Sequence, residues 1–257
     1  MLAHPILAGW SRVLRGQGFK SVRITLVSRL NANWYSQWRP QFGVQLAQLL
    51  DSAREVLVFG AGRGAYETDL RAPHRRVVGA DVSPAVLENT YLDEARVYDG
   101  VALPFERGRF DLCLARWVTE HLPDPAASFR EIARVLRPGG RFVFVTSNRW
   151  YYVYLAAAII PNGWHAAILR RLLGRDERDT FPTYYRANSR RRLRALLREA
   201  GFCEDHCSVE IHNVGYMKFS LPTFLLAAGY ERLLNGTAAF EDLRQAITGV
   251  FRRVPHS

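Results

Sequence analysis

The chain has 257 residues, of which 48% are hydrophobic and 23% are charged, and its formal net charge at pH 7 is +11. This composition is typical of a folded soluble protein, and it disfavours a membrane-spanning one because no apolar run reaches the roughly 18 residues that a span needs. Three cysteines, Cys113, Cys203 and Cys207, are an odd and sparse set, which disfavours a disulfide scaffold and favours the cytoplasm. No second pair of zinc ligands follows the last two, so no metal is expected.

The positive charge lies in the two flanks of the chain. Residues 1–50 hold six Lys/Arg and no Asp/Glu, residues 51–148 hold 13 against 14, and residues 149–257 hold 16 against 10. Such flanks indicate either an ordinary solvated surface or contact with anionic partners such as phosphorylated molecules, acidic lipids or nucleic acid. No recognisable RNA-binding module is appended, which disfavours nucleic acid.

Strands and helices alternate through the middle of the chain. The predicted strands are EVLVF (55–59), RVVGAD (76–81), ARVYDG (95–100), FDLCLAR (110–116) and RFVFVT (141–146). The predicted helices cover about 64–70, 84–89 and 125–136, the last capped by Asp124 and stopped by Pro138-Gly139-Gly140. Repeated β-α units of this length predict a doubly wound, mostly parallel sheet that binds its ligand at the carboxyl ends of the strands.

The C-terminal third continues the pattern with larger helical elements. A helix is predicted in NSRRRLRALLREAG, a sixth strand in FCEDHCSVEIH and an antiparallel seventh strand in ITGVFRRV (247–254). The apolar segment KFSLPTFLLAAGYERLLN between these strands predicts a further helix.

The first strand leads into a glycine turn, GAGRG (60–64), which predicts a nucleotide site because glycines let backbone N–H groups approach a ligand. Asp81 follows Gly60 by 21 residues, at the distance where a carboxylate meets a ribose diol. These residues alone leave open a dinucleotide or S-adenosylmethionine (SAM).

The segment DGVALPFERGRFDLCLARWVTEHLPDPAASFREIARVLRPGGRFVFVTSNRW favours the second ligand. This segment resembles the class I SAM-dependent methyltransferases in four features. They are an acidic residue before L-P-F, an F-D pair that opens the fourth strand, an E-H pair after it, and a P-G-G before the fifth strand. The similarity lies in the small-molecule branch that includes quinone-biosynthesis methyltransferases, and it covers about residues 51–148. It implies a Rossmann-like α/β fold with a seven-stranded, mostly parallel sheet of order 3-2-1-4-5-7-6.

The resemblance also implies roles for individual residues. The cofactor would be held by Gly60, Ala61, Gly62, Gly64, Asp81, Val82, Asp99, Gly100, Ala115 and Arg116. Asp81 would accept the ribose hydroxyls and Asp99 the adenine amino group. His121 is the candidate general base, with Glu120 as a group that could hold its imidazole. The family commonly has an acidic residue two positions before the first glycine, and Val58 stands there in this chain.

The acceptor side is predicted to come from the segments around this core. One methyltransferase domain is expected over 1–257, with an N-terminal helical cap (1–50), a cofactor-binding core (51–148), an insertion (149–187) and a C-terminal part of the sheet (188–257) with a helical insertion at about 217–240. The candidate acceptor-binding residues are Tyr35, Trp117, Tyr184 and Tyr185.

The function expected from the sequence is methyl transfer from SAM to an oxygen or nitrogen of a small, partly hydrophobic acceptor. One alternative is a peripheral enzyme on an anionic membrane surface that methylates a lipid, quinone or lipid-linked sugar. Another is a cofactor-binding protein without activity.

Overall fold

The computed structural model describes residues 41–64, 69–152, 154–155, 182–210 and 221–255. The predicted cap up to residue 40, with Tyr35, and most of the insertion at 149–187 lie outside these residues. So do residues 65–68 of the helix predicted over 64–70, whose last two residues, 69 and 70, are not helical.

The described residues form a seven-stranded sheet with helices between its strands. The strands are β1 (Glu55–Phe59), β2 (Arg76–Asp81), β3 (Glu94–Val97), β4 (Phe110–Arg116), β5 (Leu136–Ser147), β6 (Phe202–Glu210) and β7 (Ala246–Arg253). The helices are α1 (Gln41–Ser52), α2 (Pro125–Val135), α3 (Arg190–Glu199) and α4 (Leu221–Asn235), with 3₁₀ turns at Pro84–Glu88, Thr119–His121 and Ala238–Leu243.

The strand order is β3-β2-β1-β4-β5-β7-β6, which confirms the predicted Rossmann-like topology. Strands β1 to β5 pair in parallel, and β7 pairs antiparallel with both β5 and β6. The carboxyl ends of β1, β2, β4 and β5 therefore lie at one edge of the sheet, which is where ligands bind in this architecture.

The core explains why the central strands are almost continuously apolar. Side chains that alternate along β1 enter two different clusters, Leu57 and Phe59 on one face of the sheet and Val56 and Val58 on the other. Both faces are thus covered, as a parallel sheet requires. Fully burying a Phe side chain such as Phe142 contributes about 1.5–3 kcal/mol of hydrophobic stabilisation.

The helices that cover one face begin at residues suited to capping. The Asp124 carboxylate accepts the Ala127 N–H at 3.0 Å at the start of α2. The Ser189 hydroxyl accepts the Arg192 N–H at 3.3 Å at the start of α3. The inward face of α3 and its C-cap is apolar, because Leu193, Leu196, Leu197 and Ala200 are buried.

Two predicted strand boundaries were wrong. Strand β3 ends at Val97 instead of Gly100, because the backbone turns at Asp99 and Gly100 has φ +83°. Strand β5 begins at Leu136, directly after α2, so Pro138-Gly139-Gly140 does not stop the helix. The register with β4 shifts there, and a Cβ at Gly140 would lie 2.9 Å from the Arg137 carbonyl oxygen.

Among the described residues, no helix combines the length and the apolar character needed to cross a membrane. The same residues contain no group of three or more His, Cys, Asp or Glu side chains placed to hold a metal ion.

Candidate active site

The glycine turn lies at the carboxyl edge of the sheet and is tied to β2. The Gly60 N–H donates to the Ala80 carbonyl at 2.8 Å. Gly60, Gly62 and Gly64 have φ values of +70°, +48° and +154°, in a region that L side chains rarely adopt. A Cβ at Gly60 would lie 2.3 Å from a methyl carbon of Val118, so this turn requires glycine for space as well as for backbone angle.

Asp81 lies at the end of β2 and connects this turn to the next element. One carboxylate oxygen accepts the Gly62 N–H at 2.8 Å, and the other accepts the Ser83 N–H at 2.8 Å. The side chain is buried. Each oxygen of an ionised carboxylate can accept more than one hydrogen bond, so Asp81 is oriented and still able to accept two hydroxyl groups.

Asp99 lies on the neighbouring turn and is exposed. Its Oδ1 accepts the N–H groups of Val101 and Ala102 at 2.8 and 3.0 Å, and these two bonds hold its pKa below the usual value. The adjacent Tyr98 N–H donates to the Asp81 carbonyl at 3.1 Å, which brings the turns after β2 and β3 together. A Cβ at Gly100 would lie 3.4 Å from the side chain of Val82, itself half exposed.

The loop after β4 begins with an unusual backbone conformation. Ala115 is buried and Arg116 is half buried at the strand end. Trp117 then has φ +56°, which is uncommon for a bulky residue, and its N–H donates to the Val145 carbonyl at 2.8 Å. Left-handed residues other than glycine cluster at functional sites, because the surrounding structure must hold them in place.

Glu120 anchors this loop to β5 from the inside. Its two carboxylate oxygens accept the hydroxyls of Thr146 and Ser147, each at 2.8 Å, and all three side chains are buried. The Asn188 side-chain amide donates to the Thr146 hydroxyl oxygen and the Ser147 carbonyl, each at 2.8 Å. The sequence suggested that Glu120 could hold the imidazole of His121, and the hydrogen bonds of its two oxygens go instead to the hydroxyls of β5.

His121 is held instead by the segment that returns from the insertion. Its Nδ1 lies 2.9 Å from the Pro182 carbonyl oxygen. A carbonyl only accepts, so a neutral ring in this geometry carries its proton on Nδ1 and its basic lone pair on Nε2. The backbone N–H groups of Tyr184 and Tyr185 donate to the Glu120 carbonyl at 2.8 and 3.2 Å, which fixes the same segment to the loop.

Comparison with known proteins agrees with this arrangement. A family model described as a methyltransferase domain matches residues 57–144. The chain is 29% identical over 131 residues to a ubiquinone biosynthesis O-methyltransferase of Aromatoleum aromaticum, covering 44% of this chain and 56% of the relative. It is 30% identical over 129 residues to the protein of that name from Alkalilimnicola ehrlichii, covering 44% and 52%. The chain thus spans about half the length of these curated relatives.

A solved structure extends the likeness of the fold beyond the matched segment. The SAM-dependent methyltransferase from Methanosarcina mazei superposes with a TM-score of 0.51 at 16% identity, covering 82% of this chain and 97% of the other. Residues 57–144 thus form a methyltransferase domain.

The methyltransferase domain brings most of the predicted cofactor residues to one edge. The glycine turn, Asp81 and Asp99 follow β1, β2 and β3, and Ala115 and Arg116 end β4. Of the predicted acceptor-binding residues, Trp117 lies in the Glu120 loop and the backbone of Tyr184 and Tyr185 is bonded to it. Both Trp117 and Tyr185 have positive φ, the latter at +50°.

Asn89 is a site residue that the sequence did not reveal. It is buried, and its side-chain amide lies 3.3 Å from the carbonyl oxygens of Ala61 and Gly62. Asn89 therefore fixes the carbonyl side of the turn whose N–H side is fixed by Asp81. The signal available in the sequence is its place at the end of the short helix after β2.

Val58 stands where the family commonly has an acidic residue, and it is part of the core. Val58 is buried in the apolar cluster that also contains Ala61 and Leu114. The layer beneath the glycine turn is thus apolar at this point. The residues present suit an adenosine through Asp81 and Asp99, whereas position 58 supplies no carboxylate for a methionine ammonium.

Gly60→Ala is expected to destabilise the methyltransferase domain more than Gly62→Ala does. Both variants place a side chain at positive φ, which costs about 1–2 kcal/mol. Only Gly60→Ala adds a collision with Val118, worth about 1–3 kcal/mol of overpacking, because nothing lies within 4 Å of a Cβ at Gly62. Urea unfolding measures both losses, and adding Val118→Ala to Gly60→Ala should recover part of the difference. Equal losses in the two single variants would contradict the collision.

Proposed function

We propose that this protein transfers a methyl group from SAM to an oxygen or nitrogen of a small, partly hydrophobic acceptor. The observation that carries the proposal is the pairing of the glycine turn with Asp81, whose carboxylate is already oriented by the Gly62 and Ser83 N–H groups. A carboxylate oriented to accept hydrogen bonds from two hydroxyls, next to a close-packed backbone turn, suits the ribose of an adenosyl group.

Each part of the site supports one part of the cofactor. Asp81 would accept the ribose hydroxyls, Asp99 would accept the adenine amino group, and the glycine turn would contact the methionine part. When bound, SAM supplies an electrophilic methyl group with a good leaving group. The protein's own contribution is then to align the acceptor and exclude water, and alignment supplies roughly 7–11 kcal/mol in favourable cases.

His121 is the proposed general base. The Pro182 carbonyl favours the tautomer whose Nε2 is basic, and the 3₁₀ turn Thr119–His121 follows β4 by two residues, at the carboxyl end of that strand. A base is needed only where the acceptor loses its proton as the methyl is transferred, as a hydroxyl does. The two relatives named for ubiquinone O-methylation support an oxygen acceptor.

The acceptor would be recognised through aromatic side chains. The half-buried rings of Tyr185 and Tyr154 lie 5.8 Å apart between centroids, and Tyr154 lies 5.8 Å from the fully buried Tyr151, which supports them from the core. This row runs from the Glu120 loop towards α4, because Tyr152 then contacts Tyr230 on that helix at 5.0 Å. Tyrosine rings offer apolar faces and polar edges, which suits a partly hydrophobic acceptor.

The test combines binding and turnover. Calorimetry should detect SAM and its demethylated product binding to the wild type, and turnover on a panel of hydroxyl and amine acceptors should follow. His121→Ala is expected to lower kcat about a hundredfold on a hydroxyl acceptor, since a positioned base contributes at least about 10²-fold, with little change in SAM affinity. Uptake of a nicotinamide nucleotide in place of SAM would overturn the proposal. An unchanged kcat in His121→Ala would show that His121 is not the general base.

A second candidate is a cofactor-binding protein without turnover, favoured by Val58 in the acidic position of the family. The same experiment separates the two, because this candidate binds SAM and methylates no acceptor of the panel.

A further inference from the structure

Helix α4 buries a glutamate and exposes leucines beside Arg232. Its buried stripe consists of Ala227, Glu231 and Leu234, and the Glu231 side chain is only 1% exposed and accepts the Tyr151 hydroxyl at 3.3 Å. Its outer stripe carries leucines: Leu225 is 56% exposed, Leu226 75% and Leu233 61%. A helix that faces water normally shows the opposite arrangement, so the outer face of α4 is suited to apolar surroundings.

The apolar surface continues into the turn after α4. Phe240 and Leu243, both in the 3₁₀ turn Ala238–Leu243, are large exposed side chains. The turn is fixed to α4 by the guanidinium of Arg244, which donates to the Leu234 carbonyl at 3.1–3.2 Å and to the Thr237 carbonyl at 3.3 Å.

A basic groove lies beside this turn. It has a volume of about 370 Å³ and is lined by Arg190, Arg191, Arg194, Ala195, Arg198 and Asp242. Arg190 bridges α3 to the turn through Glu241 and Asp242, at 2.9 Å to each. Arg194 is paired with Glu204 at 2.6 Å, so the excess positive charge of the groove comes from Arg191 and Arg198, which are both exposed. We call the groove and the outer faces of the turn and of α4 the docking surface.

The docking surface borders the acceptor side of the site. The Asn148 side-chain amide, directly after β5, donates to the Asp242 and Arg244 carbonyls at 2.6 and 2.7 Å. The neighbouring Ser147 hydroxyl donates to Glu120 at 2.8 Å. One short segment therefore joins the turn of the docking surface to the loop that carries His121.

We propose that the docking surface binds a bilayer that contains anionic lipids, with the leucines in the interface and the arginine groove on lipid phosphates. Arginines beside exposed aliphatic side chains are the pattern of interfacial binding, and basic residues near such a bilayer are attracted to its negative surface potential. Nucleic acid would also meet the arginines and could stack a base on Phe240, but the exposed leucines of α4 give its bases no aromatic face and would stay in water. A partly hydrophobic acceptor would then reach the site from the bilayer.

Co-sedimentation of the full chain with vesicles tests the proposal. We expect binding to vesicles of phosphatidylglycerol and phosphatidylcholine, weak binding to phosphatidylcholine alone, and weaker binding as salt rises. R191E/R198E should reduce binding at least tenfold, whereas R54E/R130E, with the same change in charge at exposed positions outside the docking surface, should keep most of it. L226S/L233S should reduce binding without any change in charge, whereas L87S/V101S should not.

Thermal unfolding of each variant shows that loss of binding is not loss of folding. Equal weakening by both arginine pairs would overturn the proposal, since net charge alone would then explain binding. No binding by the wild type, or tighter binding of single-stranded RNA with the same loss in R191E/R198E, would also overturn it. These outcomes are independent of SAM binding and turnover, so failure here leaves the proposed function intact.

Discussion

Asp81→Asn is expected to weaken SAM binding about a hundredfold or more. Two hydroxyls of the ribose would each lose a charge-assisted hydrogen bond, and such bonds contribute about 1.5–3 kcal/mol each. The amide also disturbs the turn, because both Gly62 and Ser83 present N–H donors to this side chain at 2.8 Å. An asparagine has one acceptor oxygen, so its NH₂ must face one of these donors.

Calorimetry with SAM and with its demethylated product measures this loss. Asp99→Asn is the matched control, with the same change in an exposed side chain that retains acceptors for the Val101 and Ala102 N–H groups. It should weaken binding by tenfold or less, since a hydrogen bond to an exposed group contributes about 0.5–1.5 kcal/mol. Wild-type affinity in Asp81→Asn would mean that the ribose does not lie at β2.

Glu120→Ala is expected to lower kcat about a hundredfold while SAM affinity changes little. The carboxylate connects the loop after β4 to the buried hydroxyls of Thr146 and Ser147 on β5, in addition to the bond from the Trp117 N–H to the Val145 carbonyl. Without it the loop that carries His121 loses its fixed position, and a displacement of about 1 Å at a reacting group can cost 10²-fold in rate. Glu120 acts through His121, so it is a positioning residue.

Separate measurement of kcat, KM and the SAM dissociation constant tests this role. Glu120→Gln keeps the shape of the side chain and should retain more activity than Glu120→Ala. Thr146→Val removes one of the two hydroxyls and should give an intermediate loss. A fall in SAM affinity as large as the fall in kcat would show that Glu120 supports the whole sheet edge and not the loop alone.

Local sequence determines much of this fold and of the cofactor edge. The strands β1, β2 and β4 match their predicted bounds because each is a short apolar run ended by a glycine, an acid or a polar loop. The glycine turn and Asp81 were predictable for the same reason, since they belong to one motif of about 25 residues whose spacing sets their relative positions at the ends of β1 and β2.

The rest depends on contacts between distant segments. Nothing near Glu120 in the sequence indicates that its carboxylate turns to Thr146 and Ser147, because those residues lie 26 and 27 positions away. The burial of Glu231 in α4 was also not predictable, since an apolar helix with one glutamate normally exposes it. The Asp99 side chain accepts hydrogen bonds from the backbone in a turn directly after β3, and the alternation of apolar and polar residues does not predict such bonds.

Strand β7 has a consequence for the order in which this protein assembles on the ribosome. Among the described residues, β6 forms its ladder with β7, and β7 in turn lies against β5. Strand β6 is synthesised some 35 residues before β7, so it emerges with no neighbour in the sheet. The half of the domain that holds the glycine turn and Asp81 has all five of its parallel strands by Ser147. The nascent chain can therefore fold strands β1 to β5 first. Strand β6 joins the sheet only after β7 has been synthesised and has paired with β5.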